Sequence, residues 1–181
     1  MRVNSRWNKK DKPHTLEDTA AALAGIAWRI ACNGVLELEN ADFQTDTQVQ
    51  RLTVIAEFLA FIVHVADRLS AQRMDEETRR RFITELALRC ADFMQDNVAD
   101  VAGPGDYRDA FIGRLNERMS GYAEYAFADG SPSFGMLRDF GQRITAVMGS
   151  RYSRWISDRI IDVEAPDAVK TLKKAMRDLF M

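Results

Sequence analysis

Apolar residues recur every three or four positions along most of the chain, which is the spacing of one face of an α-helix. The first such segment follows Thr15–Asp18, "TLED", whose residues fit a capping box and therefore mark a helix start. Asn33-Gly34 is a plausible stop. The stretch Val35–Phe43 that follows favours more helix over a strand, so we expect the first helix to continue, with a kink at Gly34.

The second predicted helix is the most apolar element of the chain. It begins at a cap provided by Asp46 or Thr47 and runs without Gly or Pro to about Gln72. Projected at helical angles, its apolar residues cover roughly half of the circumference. They are Leu52, Ile55, Ala56, Leu59, Ile62, Val63, Ala66 and Leu69. A helix with so broad an apolar face packs against more than one neighbour, which predicts that it lies at the centre of a bundle.

Helical periodicity continues to the end of the chain, interrupted by clear breakers. A third helix is predicted from a cap at Asp75 to the "AGPGD" of residues 102–106, and a fourth from about Tyr107 to Ala128. A cap at Ser131 or Ser133 begins the next helix, which is either one long helix or two helices joined at a bend near Gly149. Pro166 is predicted to lie in the first turn of the last helix. The sequence thus predicts an all-α, single-domain antiparallel bundle of five to seven helices over residues 15–181. Residues 1–14 read as a flexible, basic N-terminal arm.

Composition and charge narrow the class of protein. Among 181 residues, 46% are hydrophobic and 29% are charged, which is typical of a globular chain. The 25 Lys and Arg residues against 27 Asp and Glu residues give a net charge of −2, which disfavours nucleic acid as a partner. The longest charge-free stretches are about half of what a bilayer requires, so no membrane span is expected. Cys32 and Cys90 read as reduced, packed residues, which indicates a cytoplasmic protein.

One polar stripe on the second helix is the main candidate for chemistry. Gln50, Glu57, His64 and Arg68 project close together, and Asp67 lies on the flank of the stripe. Glu57, His64 and Asp67 together could bind a metal ion or provide a general base. The alternative, which the pattern favours, is a solvent-facing polar surface on an otherwise apolar helix. His64→Ala would then change stability by no more than about 0.5 kcal/mol.

Other motifs provide weaker evidence of function. No nucleophile elbow, phosphate-binding loop or di-iron Glu-x-x-His pair is present, so no cofactor is expected and the chain reads more as a binding protein than as an enzyme. "SRYSRW" at residues 150–155 interleaves arginine with Tyr152 and Trp155, which favours a protein interface or an ordinary helix surface over a nucleic-acid contact. A further cluster of rings either lines a pocket for a small apolar ligand or closes one end of the core. Its members are Tyr122, Tyr125, Phe127, Phe134 and Phe140.

The function that these features favour is a cytoplasmic helical protein-interaction or regulatory module. It would act through an exposed helical face and could form a homodimer, with Tyr152 and Trp155 as the first interface candidates. The alternative is a ligand-binding or metal-binding helical bundle, with or without enzymatic activity, in which Glu57, His64 and Asp67 face a cavity. The surroundings of His64 distinguish the two hypotheses, because the residue is exposed in the first and faces a cavity in the second.

Overall fold

The computed structural model describes residues 13–152 and 155–180, and it confirms the all-α prediction. The helices are α1 Leu16–Asn40, α2 Gln48–Ser70, α3 Glu76–Ala102, α4 Tyr107–Ala123, α5 Phe134–Met148, α6 Ile156–Arg159 and α7 Ala165–Phe180. Strands β1 Phe127–Ala128 and β2 Ser131–Pro132 form a small antiparallel hairpin. The predicted arm lies outside the described residues except for Pro13 and His14. That residues 15–181 form one domain stays a prediction.

Side-chain caps account for where most of the helices begin. At Thr15 the predicted capping box is complete, because the hydroxyl accepts from the Asp18 N–H while the Asp18 carboxylate accepts from the Thr15 N–H. The same kind of bond, from the backbone N–H three residues later, occurs at four other helix starts: Thr47, Asp75, Asp106 and Ser133. These short polar side chains satisfy donors that the first helical turn leaves unpaired.

Ion pairs join the ends of successive helices. Glu39 near the end of α1 pairs with Arg51 near the start of α2. The end of α2 is joined to the start of α3 by the pair of Asp67 and Arg79. Helices α2 and α4 lie side by side and run in the same direction, because Glu57 pairs with Arg118, and His64, further along α2, lies against Tyr122, further along α4. Successive turns of α2 therefore lie beside successive turns of α4, so the polar stripe of α2 can contact α4 along its length.

Helix α2 lies at the centre of the bundle, as predicted. It contacts α1, α3, α4, α5 and α7, and every residue from Val54 to Ala66 is buried. The burial extends around the whole circumference rather than half of it. A helix enclosed on all sides must bury its polar side chains as well, so the prediction that the polar stripe faces solvent is wrong.

The first helix continues through Gly34 to Asn40, as the favoured reading of the sequence predicted. A Cβ atom at Gly34 would lie 2.5 Å from the Cε1 atom of Phe58 on α2, so the glycine allows the two helices to approach closely. Gly34 thus serves the packing of α1 on α2 and does not end the helix.

One boundary differs from the sequence-based prediction. Helix α4 ends at Ala123, not near Ala128, and the chain then forms the hairpin, which turns at Asp129 and Gly130 with φ angles of 53° and 69°. Pro166 lies in the first turn of the last helix, as predicted, and α6 continues into α7 through a π-helical turn at Ile160–Glu164. The wider turn lies just before Pro166, where a regular helix would meet the proline ring and lose a hydrogen bond.

By length and composition alone, α1 and α2 could cross a membrane, with mean hydropathies of 1.3 and 1.6. This is weak evidence, because the core helix of a folded bundle has the same composition. Of the two apolar windows, 56% and 78% of the residues are buried inside the bundle. The expectation that no helix spans a membrane therefore stays a prediction.

Candidate functional site

The polar stripe of α2 forms a buried seam against α4 and α5. The Gln50 side chain donates to the carbonyl of Val147 at the end of α5, 3.0 Å away. Two turns further along α2, Glu57 accepts a hydrogen bond from Arg118 on α4. After two more turns, the centroid of the His64 ring lies 5.5 Å from that of the Tyr122 ring. We call the residues Glu57, Arg118, His64 and Tyr122 the α2–α4 seam. It is the part of the predicted stripe in which chemistry was expected.

Glu57 is held by a two-point ion pair. Its side chain is 1% exposed, and its two carboxylate oxygens accept from Nε and Nη2 of Arg118 at 2.8 and 2.9 Å. A third donor, Nη1 of Arg114, lies 3.4 Å from Oε1. Hydrogen bonding to Glu57 raises the pKa of Arg118 further above its usual range. A carboxylate so fully used by guanidinium donors is not available to a metal ion or as a base.

His64 and Tyr122 form the second level of the seam, and both are buried. Among the described residues, neither ring nitrogen of His64 has a hydrogen-bond partner, and the Tyr122 hydroxyl has none either. Burial, together with the positive charge of Arg68, lowers the pKa of His64 from 6.5 to about 4. Burial is also the main reason that the pKa of Tyr122 is raised. The imidazole is therefore neutral at neutral pH and packs against the Tyr122 ring.

Asp67, the third candidate, is engaged elsewhere. Its carboxylate is 3.0 Å from Nη1 of Arg79 at the start of α3. Burial raises the pKa of Asp67, while the charges of Arg79 and Arg68 act in the opposite direction. In the part of the chain that the structure describes, no three His, Cys, Asp or Glu side chains come together as metal ligands. The structure thus does not assemble Glu57, His64 and Asp67 into one site.

The two interface candidates have different surroundings. Tyr152 is half-buried: its ring packs edge-on against Phe43, and its hydroxyl accepts from the backbone N–H of Gln44 at 3.1 Å. Tyr152 thus attaches the α1–α2 connection to the chain after α5. Trp155 is 63% exposed. The intervening residues 153 and 154 lie outside the described residues.

Most of the predicted ring cluster belongs to the core. Tyr122 and Phe140 are fully buried, and Phe140 stacks on Phe61 with 4.3 Å between ring centroids. Tyr125 and Phe127 are partly buried against the same core, whereas Phe134 is 65% exposed. The second reading of this cluster, in which it closes one end of the core, accounts for four of its five rings.

An open groove that the sequence-based analysis did not single out lies along α7. It has a volume of about 1350 Å³ and is bounded by α7, the β1–β2 hairpin and the end of α2. We call it the α7 groove. Its deeper apolar side chains are Leu69, Pro132, Leu137, Val169 and Met176. Its charged side chains are Arg73, Lys170, Lys173, Lys174 and Arg177, with Asp129 and Asp167 as the acids.

The cations of the α7 groove differ from those of the rest of the bundle in their pairing. Many arginines elsewhere pair with carboxylates, including Arg51, Arg79, Arg108, Arg118, Arg143 and Arg159. Four groove cations make no ion pair within residues 13–152 and 155–180: Arg73, Lys170, Lys173 and Lys174. Their positive charge is therefore not neutralised by a bound carboxylate of the described chain.

A signal for this groove was present in the sequence. The chain has six lysines, three in the predicted arm and three in α7, whereas every other cation is an arginine. Lys170, Lys173, Lys174 and Arg177 also repeat at spacings of three and four, which places them on one side of a helix. The near-neutral net charge concealed this local concentration.

Comparisons of the chain with protein families, with curated proteins and with solved structures found no match. The functional argument consequently rests on the side chains described above.

Proposed function

We propose that this protein is a helical interaction module whose α7 groove binds an acidic segment of a partner protein. The observation that carries this proposal is the row of Lys170, Lys173 and Lys174, which make no ion pair in the described chain and lie beside buried apolar side chains. Exposed cations attract a carboxylate-bearing partner, and the apolar base supplies binding energy that depends on the partner's apolar residues. Both properties are needed for a specific rather than a purely electrostatic contact.

A protein segment fits this groove better than a nucleic acid or a membrane. Proteins that hold single-stranded nucleic acid stack bases on aromatic rings, and no aromatic side chain lines the groove among the residues that the structure describes. A membrane surface is broad and binds convex or flat basic faces, whereas these cations border a concavity. An amphipathic segment lying in a groove is an established mode of protein recognition.

The test is fluorescence anisotropy with a labelled peptide of about 18 residues, or five helical turns. The peptide has glutamates at spacings of three and four and leucines beside them. We expect binding that weakens with salt, and about tenfold weaker binding when serines replace the leucines, because about 1.4 kcal/mol of apolar burial corresponds to a factor of ten. Equal affinity for the two peptides would overturn the proposal.

Two matched charge reversals locate the binding surface. Lys170→Glu with Lys174→Glu changes the groove, while Arg80→Glu with Arg138→Glu makes the same change in net charge on exposed residues of α3 and α5. The groove variant is expected to lose most of its affinity and the control to retain it. Equal losses in the two variants would contradict a specific groove. So would tighter groove-dependent binding of a single-stranded oligonucleotide or of phosphatidylserine vesicles, measured in parallel.

Other expectations from the sequence remain predictions. Homodimerisation through Tyr152 and Trp155 now rests on Trp155 alone, because Tyr152 is used within the chain. The cytoplasmic location rests on the two free cysteines, of which Cys90 is buried and Cys32 half-buried. For the alternative of a ligand site at Glu57, His64 and Asp67, none of the three residues lines the α7 groove.

A further inference from the structure

A smaller pocket continues the α7 groove toward the start of α7. It has a volume of about 280 Å³ and shares three lining residues with the groove: Asn33, Asp167 and Thr171. Its other lining residues come from α1, from the π-helical turn and, at Ala168, from α7, and they include Glu37 and Glu164. Because they share lining residues, the two cavities adjoin each other beside α7, and together we call them the channel.

The charge changes sign along this channel. The groove carries the cations from Lys170 to Arg177, whereas the smaller pocket is lined by the carboxylates of Glu37, Glu164 and Asp167, with Arg29 as its cation. Glu164 is 4% exposed, and its Oε1 accepts from Nε of Arg159 at 2.8 Å. Burial raises the pKa of Glu164; Arg159 lowers it, and Glu37 and Asp167 raise it again. The three carboxylates lie close together because all of them line the same small pocket.

The spacing of these charges matches one side of a helix. Lys170 and Arg177 are separated by seven residues, or about 10.5 Å of helix, and Asp167 precedes Lys170 by about one turn. A segment that lies along α7 as a helix meets one acidic position and then about two turns of cationic positions. An extended segment, with its side chains alternating every residue, does not reproduce this spacing.

This inference rests on the proposed function. We infer that the partner segment is an amphipathic helix whose charge changes sign along its length. Its carboxylates, over two turns, lie against Lys170–Arg177, and one Lys or Arg, one turn beyond them, lies against Asp167 and Glu37. The acidic pocket thereby sets the direction in which the helix lies. A like-charged residue at that end of the segment is repelled, so the same pocket also discriminates against segments that are acidic throughout.

The test compares three labelled peptides of the same length. One is acidic throughout, and in the other two a single terminal glutamate of the stripe, at one end or the other, is replaced by lysine. We expect one of the lysine peptides to bind about threefold tighter than the all-acidic peptide although it carries less negative charge, since a partly exposed ion pair contributes up to about 1 kcal/mol. The terminus that gains affinity reports the direction of the helix relative to α7.

The outcomes separate the two proposals. If both lysine peptides bind more weakly than the all-acidic peptide, the polarised channel is overturned while the cationic groove stands. If no peptide binds, both proposals fail. In the variant with Glu37→Gln and Asp167→Asn, the threefold gain in affinity of the lysine peptide should disappear. In the control Asp129→Asn, which removes a carboxylate of the α7 groove outside the smaller pocket, the gain should persist. A gain that survives the first variant also overturns the inference.

Discussion

Helices α2 and α7 are both rich in polar residues on one side, yet they treat their charges in opposite ways. On α2 the carboxylate of Glu57 is 1% exposed and is held at two points by Arg118. On α7 the ammonium groups of Lys170 and Lys174 are exposed and make no ion pair in residues 13–152 and 155–180. The charges of α2 form ion pairs inside the bundle, whereas those of α7 lie exposed at the α7 groove.

The difference separates charges that maintain the fold from charges available to a partner. A buried ion pair offsets the cost of removing both groups from water, so neither group can bind an additional ligand without breaking the pair. Exposed, unpaired lysines incur no such cost and retain their attraction for an anion. Substitutions in the seam should therefore alter stability, and substitutions in the groove should alter binding.

The largest expected effect on stability comes from Arg118→Met. Removing the guanidinium leaves Glu57 buried, and among the described residues only the 3.4 Å contact to Arg114 remains. An unpaired buried carboxylate costs about 3–5 kcal/mol, so the free energy of unfolding measured with urea should fall by an amount in that range. A decrease below about 1 kcal/mol would contradict the view that this pair is essential to the seam.

Acidification should produce the next largest effect, through His64. The unfolded chain protonates this residue below pH 6.5, while the folded chain keeps it neutral down to about pH 4. The unfolded state therefore binds more protons between these values, and stability is lost as the pH falls from 6.5 toward 4. At about 1.4 kcal/mol per pKa unit, the loss reaches up to about 3 kcal/mol.

The control for this prediction is the unsubstituted protein, measured over the same pH range. His64→Phe should remove that part of the pH dependence, which the unsubstituted protein retains. The raised pKa values of Asp67 and Glu164 act in the opposite direction and are common to both proteins. An unchanged slope in His64→Phe would show that the buried imidazole is not its source.

A smaller effect is expected where α1 packs on the enclosed helix. Gly34→Ala forces a methyl group against the Phe58 ring and should destabilise the protein by about 1–3 kcal/mol. Gly25→Ala is on the same helix, but beyond the neighbouring helical backbone no atom of the described residues lies within 4 Å of the added carbon, so it should stabilise the protein by up to about 1 kcal/mol. Thermal unfolding of the two variants gives this contrast directly. Changes of the same sign would contradict the close contact.

The sequence sufficed for the fold because periodicity and caps are local signals. Thr15 and Asp75 were identified as helix starts, Thr47 was one of two candidates for another, and each of the three caps its helix. The hairpin after α4 was missed because its strands have two residues each, too few for an alternating pattern. The role of Gly34 was not predicted because it depends on Phe58, which is distant in sequence.

The candidate site was harder to predict because burial is not a local property. A polar stripe on an apolar helix normally faces water, but this stripe faces Arg118 and Tyr122 on a helix that follows only after another reversal of the chain. Periodicity gives the face on which Glu57 lies and not what covers it. The groove was missed for a related reason: α7, the hairpin and the end of α2 come together only in the folded chain.

The smallest expected effect on stability is in the groove, and it is the one that tests the comparison most directly. Lys170→Gln with Lys174→Gln removes two exposed charges that make no ion pair in the described chain, so the free energy of unfolding should change by no more than about 0.5 kcal/mol. The same variant should bind the acidic peptide several-fold more weakly. Arg118→Met should show the reverse, with reduced stability and unchanged peptide affinity at a temperature where it remains folded. If the lysine variant instead loses stability and keeps its affinity, the α7 charges belong to the fold, and the distinction between the two helices fails.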